Sequence, residues 1–310
     1  MTTVAASPSA FQRRQVAVDN ILIHVVEHGD PARPATLFLH GWPQDWSAFE
    51  RVMLAMGEGR HLVAIDLPGI GLSEGGLPTS DKRTIARCVR QLVDVLHLRE
   101  VTLVGHDVGA QIVFAYLHLF ADDVSRAVLM NAAVPGIDPW SQVMRSPKAW
   151  HVGFHAVPEL PDLLVAGHQQ RYFDHFFTGQ SARRDGVSAA ARAHYAKAYE
   201  RPLALHTGFE WHRSFEQDER DNVQVRDHKV DTPVLYLRGQ RETGLVDDYL
   251  KGLRAAGLQN VRGSLISDAG HFAPDEQPAA VAEAIGRFIG ALPAAAAREW
   301  PAGVPHRAAR

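Results

Sequence analysis

The chain has 310 residues, 46% of them hydrophobic, a formal net charge of −3 and a single cysteine. That length and apolar content suit one large core with a smaller helical unit, and the near-neutral balance without a basic run excludes nucleic acid and anionic membrane surfaces as expected partners. No apolar stretch approaches the roughly 20 residues that span a bilayer, residues 1–10 lack a secretory pattern, and the lone Cys88 rules out an internal disulfide, so a soluble cytoplasmic protein is expected.

In chain order, residues 15–18 and 21–27 read as an antiparallel strand pair turned at Asp19-Asn20. Residues 36–39 form a short apolar strand that runs into His40-Gly41-Trp42-Pro43-Gln44, where an X-Pro bond stiffens the corner. A helix over 47–56 and a strand over 62–66 follow. The run 81–96 has apolar residues at Ile85, Cys88, Val89, Leu92 and Leu96, the spacing of one buried helix face. That places the Cys88 thiol in the core rather than in chemistry.

Residues 101–111 are Val-Thr-Leu-Val-Gly-His-Asp-Val-Gly-Ala-Gln, an apolar strand that turns directly into a helix with Asp107 at the bend. Gly105 and Gly109 flank it, as a turn that brings backbone against backbone requires. The same turn with serine at its centre is a nucleophile elbow; here the lifted side chain is a carboxylate. After another strand at 127–130, strand signals stop. Residues 136–227 read as a helical cap rich in histidine, arginine and aromatic residues, fit to line an apolar pocket. Alternation resumes with a strand at 233–238, a helix at 246–256, a strand at 261–266 and a helix at 278–292. Residues 293–310 are Ala-, Pro- and Arg-rich and read as disordered. The core is thus expected in two parts, 1–135 and 228–292, around the cap.

A carboxylate nucleophile attacks an electrophilic sp³ carbon and leaves an ester, which a histidine-activated water then clears. His271, in the loop after the last strand, suits the base. Two positions suit the acid that orients it: the loop after residue 238, which offers Glu242, and the strand end at 131, which is an asparagine without charge to stabilise an imidazolium. Glu242 is therefore the expected third member.

Taken together these motifs resemble the aspartate-nucleophile branch of the α/β-hydrolases, the epoxide hydrolases and the haloalkane and haloacetate dehalogenases. The resemblance covers nearly the whole chain. It implies an α/β-hydrolase fold: a mostly parallel sheet with helices on both faces and an α-helical cap inserted after the sixth strand. It also implies an oxyanion hole from the backbone N–H groups of Trp42 and Val108. The stretch Trp150-His151-Val152-Gly153-Phe154-His155 through Pro161 is similar to a cap signature of the family, which implies that His155 binds an epoxide oxygen, with His212 where the family has a second ring-opening tyrosine. Tyr195 and Tyr199 are alternative donors, and Trp150 and Trp211 are expected pocket walls. Haloacetate dehalogenases carry arginines where this chain has Val108 and Gln111, and haloalkane dehalogenases a tryptophan at the first of these. The resemblance therefore implies an epoxide hydrolase that needs no cofactor or metal, acting on a bulky apolar substrate with water. A dehalogenase with the same nucleophile and a non-catalytic ligand receptor on the same fold are the alternatives.

Overall fold

The computed structural model describes residues 10–290, within which eight strands form one sheet. They are β1 (Gln12–Val18), β2 (Ile21–Gly29), β3 (Ala35–Leu39), β4 (His61–Ile65), β5 (Thr102–His106), β6 (Arg126–Met130), β7 (Val234–Gly239) and β8 (Val261–Ile266). Their spatial order is β1-β2-β4-β3-β5-β6-β7-β8. The β1–β2 and β2–β4 pairs are antiparallel and the remaining pairs parallel. Every residue of β3, β4, β5 and β7 is buried, so both faces of the sheet are covered; continuous apolar runs are what parallel strands in that situation need.

Helices α1 (Glu50–Met56), α2 (Lys82–Val95) and α3 (Val108–Phe120) alternate with the early strands. Asp81 caps α2, accepting from the Thr84 N–H, and the Ile85-Cys88-Val89-Leu92 face is buried as its spacing predicts. Burial pushes the Cys88 thiol up to about 12, which leaves it protonated and inert. Between β6 and β7 the chain is helical: α4 (Trp140–Met144), α5 (Trp150–Ala156), α6 (Leu160–Val165), α7 (Gln169–Gln180), α8 (Ala189–Ala198), α9 (Pro202–Arg213) and α10 (Phe215–Gln224). Helices α11 (Val246–Ala255), α12 (Ala273–Glu276) and α13 (Pro278–Ile289) complete the described chain, α13 ending on Gly290 in the left-handed region. The expected disordered tail lies outside the described residues.

The helical insertion is tied to the rest through a buried ion pair, Lys82 Nζ on α2 to Asp218 on α10 at 2.7 Å. The Lys82 amine also donates to the Trp211 carbonyl, so the last turn of α9 is held against the core. Parallel register aligns the carboxyl ends of β3, β5, β6, β7 and β8 along one edge. The loops at that edge begin with His40, Asp107, Asn131, Gln240 and Ser267.

Candidate active site

Asp107 follows β5 immediately, and its backbone (φ 53°, ψ −119°) is outside the regions that an L-residue prefers. The crowding that enforces this turn is direct. A Cβ at Gly109 would lie 2.1 Å from the Leu39 carbonyl oxygen and one at Gly105 2.2 Å from that of Gly109, so only glycine fits either place. The bend lifts the Asp107 carboxylate onto the Trp42 N–H, which donates to Oδ1 at 3.0 Å. Trp42 is joined to Pro43 by a cis peptide bond.

His271 reaches the same carboxylate from the loop after β8, with Nε2 3.4 Å from Asp107 Oδ2. Its Nδ1 donates to Glu242 Oε1 at 3.1 Å. Glu242 is fixed in turn by Asn131, whose Nδ2 donates to Oε2 at 2.7 Å, and by Arg238, 3.4 Å from the same oxygen. Asn131 also donates to the Gly270 carbonyl, and His106 Nε2 donates to that of His271 at 2.7 Å. Both expected positions for the acid therefore converge on the histidine, the carboxylate facing Nδ1 and the amide behind it.

These contacts set the charges. Burial opposes the Asp107 charge, but the hydrogen bond and the charge of His271 hold its carboxyl far below the usual range. Burial alone would lower the His271 pKa; the bonds to Asp107 and Glu242 outweigh it and raise the imidazole to about 10. At neutral pH the site holds an imidazolium between two carboxylates.

A cavity of about 420 Å³ opens over Asp107, walled by Trp42, Val108, Trp140, Phe176, Phe215 and Phe272, with Gln111, Asn131, His151 and His212 among its polar groups. Val108, the first residue of α3, presents the helix N-terminus on this wall. His212 stands on the wall, but the expectation for His155 needs correction. His155 is fully buried behind the wall, with Nε2 2.7 Å from the Tyr172 hydroxyl and Nδ1 unpartnered. One helical turn earlier, His151 takes the wall position and stacks on Trp42 with ring centroids 6.0 Å apart. The expected walls Trp150 and Trp211 are displaced as well. Trp150 is 46% exposed and packs outside against Phe176; Trp211 is buried beside His40. The alternative donors are also occupied elsewhere, Tyr195 on Asp275 and Tyr199 on the Gln44 carbonyl.

His151 and His212 share one electronic feature. Each Nδ1 faces a backbone carbonyl, that of Lys148 at 3.1 Å and that of Gly208 at 3.2 Å. A carbonyl only accepts, so Nδ1 carries the proton in the neutral ring and Nε2 is left as a lone pair. Burial lowers both, His151 to about 4 and His212 to about 3. The sequence reading missed His151 and Arg238. A histidine four residues before His155 shares its helix face, which was a usable cue for the first; Arg238, at the end of a strand, had no such cue.

A strained carboxylate elbow at the parallel edge of this sheet order, backed by histidine and glutamate from the following loops, defines a class rather than a single activity. The chain belongs to the alpha/beta hydrolase fold family, whose sequence profile matches residues 34–278, and it is an enzyme. Among its relatives is the soluble epoxide hydrolase of Corynebacterium sp. (strain C12), 28% identical over 284 residues, covering 90% of this chain and 97% of the relative. Epoxide hydrolase A of Mycobacterium tuberculosis is 25% identical over 316 residues, with 90% and 97% coverage. Among solved structures, wild-type Cfl2 from Burkholderia cenocepacia superposes with a TM-score of 0.85 at 29% identity, covering 91% and 97% of the two chains. The epoxide hydrolase CorEH gives 0.81 at 25% identity, with 91% and 99% coverage. Among the described residues no helix is long and apolar enough to cross a membrane.

Proposed function

We propose that this enzyme hydrolyses epoxides to vicinal diols through an ester on Asp107. The observation that carries the reading is the opposition, across one cavity, of a carboxylate backed by His271 and Glu242 to the paired histidines His151 and His212. Asp107 attacks a ring carbon and breaks its carbon–oxygen bond, while a histidine of the helical cap protonates the departing oxygen. His271 then takes a proton from water as the water oxygen adds to the Asp107 carboxyl carbon. The oxyanion forms on the oxygen that the Trp42 N–H already holds, with the Val108 N–H as second donor. Collapse expels the diol and returns Asp107 to a carboxylate. The aromatic wall suits a bulky apolar epoxide. The relatives named as epoxide hydrolases support this reading. The Val108 side chain provides no donor for a halide, and the Gln111 amide is committed to the Ala133 carbonyl, so neither side chain favours dehalogenation.

The covalent route is tested by one turnover of excess enzyme in ¹⁸O-water. The diol is expected to leave unlabelled, having taken its new oxygen from Asp107, while the label enters the carboxylate. Label in the first-turnover diol would mean direct attack by water.

A second expectation concerns pH. Because neutral His151 and His212 have only a lone pair at Nε2, protonating the epoxide oxygen requires an imidazolium. The alkylation rate is therefore expected to rise about tenfold for each pH unit lowered between 7 and about 5, Asp107 staying ionised throughout. Rapid-quench measurement of adduct formation checks this, and His151→Phe and His212→Phe should each slow it more than His155→Phe. A rate that is flat with pH, together with normal alkylation in both wall variants, removes the histidines from the role.

A further inference from the structure

Arg238 has no place in the two chemical steps, yet it is one of the best-fixed cations in the protein. It closes β7, is 5% exposed, and its guanidinium lies 4.1 Å over the Tyr249 ring. Nη1 donates to the Tyr236 hydroxyl at 3.2 Å and Nη2 to the Thr243 carbonyl. The remaining contact is to Glu242 Oε2, the oxygen that faces away from His271.

Counting charge through the cycle gives this contact a purpose. At rest the buried set is Asp107⁻, His271⁺, Glu242⁻ and Arg238⁺, which sums to zero. Ring opening turns Asp107 into a neutral ester, and with a neutral His271 the set is Glu242⁻ and Arg238⁺, again zero. Were Arg238 uncharged, the balanced set after ring opening would be Glu242⁻ with His271⁺, and an imidazolium cannot accept a proton from water. Unbalanced buried charge is costly, so the site would settle on that inert pair.

We propose that Arg238 is a positioning residue that neutralises Glu242, so that His271 gives up its proton when Asp107 becomes an ester and is ready as the base for hydrolysis. The proton count closes. The proton lost by His271 matches the one gained by the opened epoxide oxygen. In the second step the water proton passes to His271, the water oxygen bonds to the Asp107 carboxyl carbon, and the ester bond to the alkyl oxygen breaks. The hydroxyl hydrogen of the tetrahedral adduct goes to that departing oxygen, which restores Asp107⁻ and His271⁺. The other groups around His271 are Asp107 and His106 at the end of β5, His151 on α5 and Glu276 on α12, with Tyr236 and Tyr249 beside Glu242. None of these is a cation that could take over from Arg238, and Arg241, which also lines the cavity, is exposed and paired with Asp268 at 3.1 Å.

This inference rests on the ester route proposed above, so the test reads the two steps separately. Adduct formation and decay on Asp107 are followed by rapid quench and intact mass with styrene oxide, or with the best epoxide of a panel, across pH 5–10 in wild type, Arg238→Met and Arg238→Lys. In Arg238→Met, adduct formation should stay within about threefold of wild type. The midpoint of adduct decay should move up by about one pH unit or more, slowing decay about tenfold below the midpoint and recovering above it. Arg238→Lys keeps the charge and should keep the midpoint. A merely structural role would lower the plateau without moving the midpoint, and a midpoint unmoved in Arg238→Met overturns the inference. Should that variant fail to fold, Arg238→Gln carries the same readout. If no epoxide forms an adduct even in His271→Ala, the ester route itself fails and the inference with it; adduct with an unmoved midpoint defeats the inference alone.

Discussion

Replacing His271 by alanine is expected to stop turnover and load the enzyme with a covalent adduct. Attack by Asp107 needs the carboxylate, which the Trp42 N–H holds independently of the histidine, whereas clearing the ester needs a base at the position of Nε2. A positioned general base contributes about 10²–10⁴-fold, so adduct decay should slow by about that factor relative to wild type while formation does not. Intact-mass spectrometry of His271→Ala mixed with epoxides and organic halides should show a single added alkyl group, mapped to the peptide containing Asp107. Asp107→Asn, examined at early times, should show none. Equal labelling of the two variants would remove Asp107 from its role, and labelling by halides alone would replace the epoxide reading with dehalogenation.

The loss in Glu242→Gln is expected to be nearly as large. The carboxylate meets Nδ1 of His271 directly, fixes which nitrogen faces Asp107 and stabilises the cation. Amide replacement of the equivalent buried acid in a Ser–His–Asp triad costs about 10⁴-fold in kcat. Here the amide would also put a donor or an uncharged oxygen where Asn131 and Arg238 converge. Asn131→Ala removes only one of those two supports and should cost far less. Steady-state kinetics on the two variants decide the point: near-wild-type turnover in Glu242→Gln would give the orienting role to Asn131 or to water.

The parts of the site that could be read from sequence are those whose geometry is local. The Asp107 elbow is written in the spacing of two glycines between an apolar strand and an apolar helix, and the structure shows the clashes that make each glycine necessary. His271 and Glu242 were legible because a strand-end loop on a parallel sheet has one available edge. The helical insertion was harder. His151 and His155 are four residues apart on α5 and share a face, and only the packing of α5 against α9 decides which of them reaches the cavity and which is sealed behind it. Trp150 and Trp211 show the same limit: aromatic content marks a region as packed, but whether a ring faces the cavity, the core or solvent depends on how short helices dock. Arg238 was invisible for another reason. A cation in an apolar strand matters only through partners such as Glu242 and Tyr249, whose positions the strand pattern does not specify.

The order of the strands also bears on how the protein comes into being. Asp107, Asn131, Glu242 and His271 follow β5, β6, β7 and β8, which lie side by side in that order, so the site is laid down in the direction of synthesis. At about 5–20 residues per second, a ribosome needs roughly 8–33 s to travel from Asp107 to His271. Through most of that interval β6 has no neighbour on its outer side, because β7 begins at Val234, beyond the whole helical insertion. An unpaired parallel edge is a template for another chain, and closing so long a gap is entropically slow. Early folding of the insertion would bring its two ends together before β7 emerges. The half-made chain thus carries an open parallel edge that the finished sheet does not, and an insertion that folded early would shorten the span β7 has to close.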